Sequence, residues 1–555
     1  MNQLLQDIDL DFATAPGARL VTRLALKDGG VDPLGLRQVN LDLMDRAIPG
    51  INNTTVFIRP YAFMAWAWWM TNDLLSNGGK KDIDSAAAKD FVMRLEVIYA
   101  WSHMLAGGRD LPGMAVLRSC MPMEGGGSLT FKGANWETIK KKRQASTSIM
   151  DAIQYGPSIK ALGFLEQTSV IGVFRPTEQV MPAVRAINAI VSRSAMRHMV
   201  DPGVGTFRPE EVQCLNGDLP PSEPTREEQD VFRRLFEPGR ETGRTDFTRR
   251  NDTLALVLEA IEATPDGLTV PELRGVLASG VLPSGRRLLR AGSNDTGLQT
   301  TWLLMSSLQV RQLQRLALES MLVWIEVMIK TNGGSASTDA LVAMALSQAE
   351  VFDADLAGPT VGNVLTAMSQ RSADHGWPVA AAKGQTDFVA LSDRLSLAQR
   401  GGPGSYETIP GLCLTALAYV QAMYTALKPQ GADDGKLGEL GGRSDRFPIS
   451  LQHRRLLSLQ DATVDTLWRE LIETWVIGQH VRWSVARNGD GTQRLRLALG
   501  DSGWLKVHKR LSGPFGPTPD RLLSALSLAA QSGMVDRDDT GAMARFLIGR
   551  AGGRR

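Results

Sequence analysis

The chain has 555 residues, 43% of them hydrophobic and 22% charged, with a formal net charge of +2. This is the composition of a folded protein of about three or four domains. It excludes general disorder and a globally basic nucleic-acid binder, so any basic surface must be local. The three cysteines, Cys120, Cys214 and Cys413, are far apart and form no CxxC pair. That spacing argues against a disulfide framework and a structural zinc site, and fits free thiols in a reducing cytoplasm.

Residues 1–35 read as a loosely structured lead-in, with one short strand hinted by Ile8, Leu10 and Phe12. No basic residue precedes Arg19, so the positive start of a secretory signal is missing. Asp7, Asp9 and Asp11 resemble the start of a calcium loop, but Phe12 and Ala18 stand where glycine and glutamate are needed. A helix is expected over 36–48, stopped by Pro49-Gly50, followed by a β-prone stretch at 52–59. Residues 61–76 are apolar almost all round and include Trp66, Trp68 and Trp69, the pattern of a helix buried at a domain centre. An amphipathic helix at 85–106 ends at Gly107-Gly108. Helical signals resume near Asn135 and are clearest over 177–199.

Pro220-Pro221-Ser222-Glu223-Pro224 marks a boundary, and Thr225-Arg226-Glu227-Glu228 is a capping box that opens the next helix. Helices follow at 249–263, 269–279 and 297–331, then near Ser337 and Pro359, and at 407–427. The glycine-rich stretch 431–442 is a second boundary. Further on, 463–478 is helical. Val481, Trp483 and Val485 alternate with Arg482 and Ser484, Asn488-Gly489-Asp490-Gly491 supplies a turn, and Leu495, Leu497 and Leu499 alternate with Arg494 and Arg496. This reads as a β-hairpin, and Thr518-Pro519-Asp520 starts a helix after it.

The hairpin carries the strongest functional signal. Period-two alternation puts its apolar side chains on one face and Arg482, Arg494 and Arg496 on the other, with Lys506, His508, Lys509 and Arg510 close behind. A basic ribbon beside a short capped helix reads as a winged-helix-like module whose cations contact phosphates. A solvated sheet face, or one that docks on an acidic partner, fits the same pattern. A weaker candidate of the same kind is the helix capped by Thr269-Val270-Pro271-Glu272, trailed by Arg286, Arg287 and Arg290. A second cluster, Lys132, Lys140, Lys141, Lys142 and Arg143, lies near Trp136, and fits either phosphate and base contacts or an exposed helix start whose tryptophan is core.

Catalytic patterns are wanting. Glu319, Glu326 and Lys330 suggest a nuclease-like set, but the segment reads as helix and makes Glu326 and Lys330 an i,i+4 pair. The six histidines are scattered, and no HExxH, phosphate-binding GxxxxGK[ST] loop, GxGxxG or GxSxG occurs. No cofactor or metal is expected, nor any membrane segment: 61–70 and 321–329 are about half a bilayer span.

The stretch Leu34-Gly35-Leu36-Arg37-Gln38 through Ile48-Pro49-Gly50-Ile51, then Arg59-Pro60-Tyr61 and the late Thr-Pro-Asp-Arg-Leu, resembles large bacterial proteins encoded beside helicases or nucleases in phage-defence loci. The resemblance covers the ends of the chain and assigns no site residue. The expected fold is mainly α and multi-domain. It divides into a helical domain at 1–215, a central one at 225–430 with a helix-turn-helix-like unit near 250–290, and a winged-helix-like α+β module at 445–555. The expected function is a cytoplasmic, non-catalytic scaffold or DNA-binding subunit of an antiviral defence system, partnered by a helicase or nuclease. The alternatives are a metal-dependent nuclease with a scattered site and a protein–protein adaptor.

Overall fold

The computed structural model describes residues 25–26, 32–77, 84–143, 148–150, 154–236, 245–288, 296–374, 388–402, 404–427, 446–487 and 492–548. The strand hinted near residue 10, Asp7, Asp9 and Asp11, the 431–442 stretch, the 488–491 turn, Arg290 and His375 lie outside them.

The protein is mainly α. Its helices include α1 (Arg37–Ala47), α2 (Arg59–Asn77), α3 (Ser85–Leu105), α4 (Gly133–Arg143), α5 (Met181–Arg193), α6 (Pro209–Asp218), α7 (Arg226–Leu235), α8 (Thr245–Glu262) and α9 (Val270–Ser279). The 36-residue α10 (Thr296–Thr331) follows, then α11 (Thr338–Phe352), α12 (Val361–Asp374), α13 (Phe388–Ala398) and α14 (Ile409–Leu427). Last come α15 (Ile449–Ser458), α16 (Val464–Glu470), α17 (Gln479–Ala486) and α18 (Leu522–Gln531). Strands are short: β1 (Ala25–Leu26), β2 (Leu129–Thr130), β3 (Leu165–Gln167), β4 (Phe174–Pro176), β5 (Thr206–Phe207), β6 (Leu268–Thr269), β7 (Ser335–Ala336), β8 (Thr492–Gln493), β9 (Leu497–Gly500), β10 (Gly503–Lys506), β11 (Asp536–Asp538) and β12 (Arg545–Leu547). They pair as β1-β8, β2-β5 and β3-β4, and as two three-stranded sheets ordered β7-β10-β9 and β11-β12-β6.

Helix α10 is the spine. At about 1.5 Å per residue it is about 54 Å long, and α1, α8, α9, α13 and α14 pack on it. From Thr301 to Ile329 its side chains are buried on every face, polar ones included. Ser306, Gln309, Arg311, Gln312, Gln314, Arg315, Ser320 and Glu326 all lie inside. A buried polar group needs a hydrogen-bond partner, and here the partners come from remote chain. Gln309 Nε2 donates to Asp520 Oδ2 at 3.0 Å, and Gln312 Nε2 to the Thr518 carbonyl at 2.9 Å. Gln312 Oε1 accepts from Asn40 Nδ2 at 3.0 Å, and Arg311 Nη2 donates to the Arg446 carbonyl at 2.8 Å. Complete burial pushes the Arg311 guanidinium down to about 9 and the Glu319 carboxyl up to about 7, the latter against the pull of Arg315.

The aromatic helix α2 is buried from Tyr61 to Trp68, as its all-round apolarity requires. It belongs to the core, not to an interface. Its first residue, Arg59, is buried and donates from Nε to Glu228 Oε1 at 2.8 Å. That carboxylate also closes the capping box of α7, accepting from the Thr225 amide at 2.6 Å. The β-prone stretch 52–59 is instead a turn, closed by Thr55 Oγ1 donating to the Asn52 carbonyl at 2.8 Å. Helix Tyr406–Ala426 has a mean hydropathy of 1.2 and the length to cross a membrane, but 72% of its apolar window is buried inside the protein.

Residues 32–35 meet the segment 446–483 from late in the chain. Helix α17 holds successive carbonyls of residues 32–34: Trp483 Nε1 donates to Asp32 at 2.8 Å, His480 Nδ1 to Pro33 at 3.0 Å, and Gln479 Nε2 to Leu34 at 2.9 Å. Arg446 Nη1 takes the Gly35 carbonyl at 2.7 Å and stacks 3.7 Å from the Trp483 ring. The other ring nitrogen of His480 accepts from the Arg496 amide at 2.9 Å, so the imidazole is neutral with its proton on Nδ1. Burial lowers its pKa to about 4.

The folded pKa of His480 lies below the 6.5 ordinary for histidine, so the unfolded chain takes up the proton first. The stability this neutral ring contributes is complete above about pH 6.5 and is lost as pH falls toward 4. We expect the stability gap between wild type and His480→Asn, measured by urea unfolding, to be constant above pH 7 and to shrink steadily between pH 6.5 and 5. A gap that widens on acidification would contradict the neutral tautomer.

Candidate basic interface

The C-terminal hairpin differs from the sequence pattern. Residues 481–485 are not a strand: they belong to α17, which continues α16 through a π-helical stretch, Leu471–Gly478. The side chains of 479, 480 and 483 are needed on one helical face to grip residues 32–34, a spacing a strand cannot supply. The real hairpin is β9-β10, with Leu497 opposite Lys506 and Leu499 opposite Trp504. It closes on β7, where Trp504 faces Ala336.

This shift relocates the predicted cations. Arg482 is exposed, but on α17. Arg494 and Arg496 are only 7% and 3% exposed, so neither is on an outer face. Arg494 Nη1 donates to the Arg487 carbonyl, and Arg496 Nε donates to Glu326 Oε1 at 2.6 Å. Glu326 also accepts from the Ser512 amide at 2.7 Å, so its partner is Arg496 and not Lys330. The nuclease-like set is thereby dispersed: Glu319 is buried against Arg315 at 2.9 Å, Glu326 is committed, and Lys330 is exposed. Among the described residues, no group of three or more His, Cys, Asp or Glu is placed to hold a metal ion.

The second predicted cluster also divides. Trp136 is core, its Nε1 donating to Asp90 Oδ1 at 3.0 Å. Lys140 is paired with Asp90 at 2.7 Å and Glu137 at 2.6 Å, and these bonds raise its pKa. Arg143 is buried against Glu96. Only Lys132, Lys141 and Lys142 of the set are exposed.

What remains outward is a different grouping. Lys509 and Arg510 are exposed just beyond β10, and Lys506 Nζ, half-buried, donates to the Lys509 carbonyl at 2.7 Å. Lys330 stands in the last turn of α10, a helix that packs on β10 and β7. Burial lowers the Lys506 pKa, and of the nearby charges Glu326 raises it while Arg496 and Lys330 lower it further. Among the described residues, none of Lys330, Lys506, Lys509 and Arg510 lies within ion-pair distance of a carboxylate. Four such cations attract anions. Lys330 was assigned in sequence to Glu326. The signal against that pairing was Asn332-Gly333-Gly334, which ends the helix and leaves Lys330 in its last exposed turn.

Removing one partner of a buried ion pair is costly. Arg496→Met should therefore destabilise the protein by about 3–5 kcal/mol in chemical denaturation. Arg482→Ala should fall within about 0.5 kcal/mol of wild type. Equal effects would contradict this division of the arginines. Comparison with known protein families, curated proteins and solved structures finds no match to this chain.

Proposed function

We propose that this chain is a non-catalytic, nucleic-acid-binding scaffold subunit that works beside a separate enzyme, such as a helicase or nuclease. The observation that carries the reading is the group Lys330, Lys506, Lys509 and Arg510, four cations around one small sheet that have no carboxylate partner among the described residues. Five buried or half-buried arginines, Arg59, Arg143, Arg274, Arg315 and Arg496, by contrast meet carboxylates. Leaving four uncompensated in one place suits a polyanion, whose phosphates would replace bulk counterions. The connectivity around the group supports the same reading. A helix, a short strand and a second helix (α10, β7, α11) are completed by a hairpin whose second strand pairs with the first, the strand order of a winged-helix unit closed by distant chain.

Fluorescence anisotropy with a labelled duplex tests this. Lys506→Ala, Lys509→Ala and Arg510→Ala together should weaken binding at least tenfold at about 50 mM salt. The slope of log affinity against log salt should become shallower by about two to three. Binding unchanged by the triple substitution, or absent in wild type, would overturn the proposal.

A further inference from the structure

The two three-stranded sheets share one connectivity. β6 lies between α8 and α9, and β7 between α10 and α11, each followed by a hydroxyl-capped helix, with Thr269 and Ser337 as caps. In each sheet a hairpin from far along the chain places its second strand in the middle, giving β7-β10-β9 and β6-β12-β11. Helix α10 joins the two units. Its early turns pack on the end of α9, where a Cβ on Gly280 would lie 3.0 Å from the Trp302 ring, and its last turn carries Lys330 to the other unit.

The β6 unit has its own outward cations. The chain leaves α9 at Gly280, which has φ 72°, and doubles back in a tight turn. The Leu282 amide donates to the Arg286 carbonyl at 2.8 Å, the Leu288 amide to the Gly280 carbonyl at 2.8 Å, and Val281 and Arg287 form a β-bridge. Arg286 and Arg287 are exposed on this turn. Arg286 reaches only the Ala263 carbonyl, at 3.4 Å, and neither arginine lies within ion-pair distance of a carboxylate among the described residues. Three other arginines of the unit meet carboxylates: Arg274 with Asp520 at 2.6 Å, Arg545 with Glu272 at 3.3 Å, and Arg537 with Asp539 at 2.9 Å.

We propose that Arg286 and Arg287 form a second phosphate contact, so that one duplex is held at both ends of α10. The proposal rests on the nucleic-acid reading of the β7 unit. From Trp302 to Lys330 is about 28 residues of helix, about 42 Å, which matches about 12 base pairs of B-form duplex. Both contacts are to phosphates, so the grip depends on length and salt and not on base sequence.

The test uses full-length protein and labelled random-sequence duplexes of about 8 and about 20 base pairs. Wild type is expected to bind the longer duplex at least tenfold tighter than the shorter. Arg286→Ala with Arg287→Ala should remove that advantage and make the salt slope for the long duplex shallower by about two, while binding of the short duplex changes less than twofold. Both residues are exposed, and an unchanged thermal melt confirms that the variant is folded. If the double variant binds the long duplex as wild type does, while the triple variant at 506, 509 and 510 loses it, the second contact is wrong and the β7 interface stands. If wild type binds neither duplex, both fall.

Discussion

The fold depends on the burial of a single polar helix. Helix α10 carries glutamines, serines, arginines and glutamates on faces that never reach water. An unpaired buried polar group costs about 1–3 kcal/mol, and an unpaired charge more. Those that find their partners on other segments therefore fix the positions of those segments. Gln312 ties Asn40 of α1 to the backbone at Thr518, and Arg311 ties the carbonyl at Arg446. Glu326 ties both Arg496 and Ser512. Segments from opposite ends of the chain are thus registered against one rod, and one cluster of buried described residues includes both Leu34 and Phe546.

The same constraint produces the basic surface. Because Glu326 is consumed by Arg496 and Ser512, it is not available to Lys330 one turn further on. Lys330 is left at the exposed end of the rod, next to a hairpin whose Lys506 lies within ion-pair distance of no carboxylate among the described residues. The cations that face outward are those the buried network did not need.

Much of the helical layout was legible. The capping boxes at Thr225 and Thr269, the stop at Asn332-Gly333-Gly334 and the all-round apolarity of α2 are local signals, and the structure realises each. Residues 481–485 misled because a short alternation of valine, tryptophan and polar residues suits a strand by itself. Tertiary contact decided otherwise, since the grip of α17 on residues 32–34 needs helical spacing. The partners of Arg494 and Arg496 were invisible for a related reason: Glu326 is 170 residues away from Arg496, and no local pattern encodes that distance. Likewise the helix expected from Thr518 begins only at Leu522, because Asp520 is drawn to Arg274 and Gln309, and Arg521 turns left-handed with φ 63°. Of the proposed site, Lys506, Lys509 and Arg510 are candidates from sequence alone, whereas Lys330 joins them only because Glu326 is engaged by Arg496 and Ser512.

The central claim is that the free cations around the β7 sheet hold nucleic-acid phosphates. Hydrogen-exchange mass spectrometry of the full chain, with and without a duplex of about 20 base pairs, addresses it most directly. The account predicts slowed exchange in peptides covering 328–334 and 503–510 on adding the duplex, with the protection lost as salt is raised. Protection confined to other surfaces, such as that of α4 with Lys141 and Lys142, or none at all under conditions of saturating duplex, would contradict it.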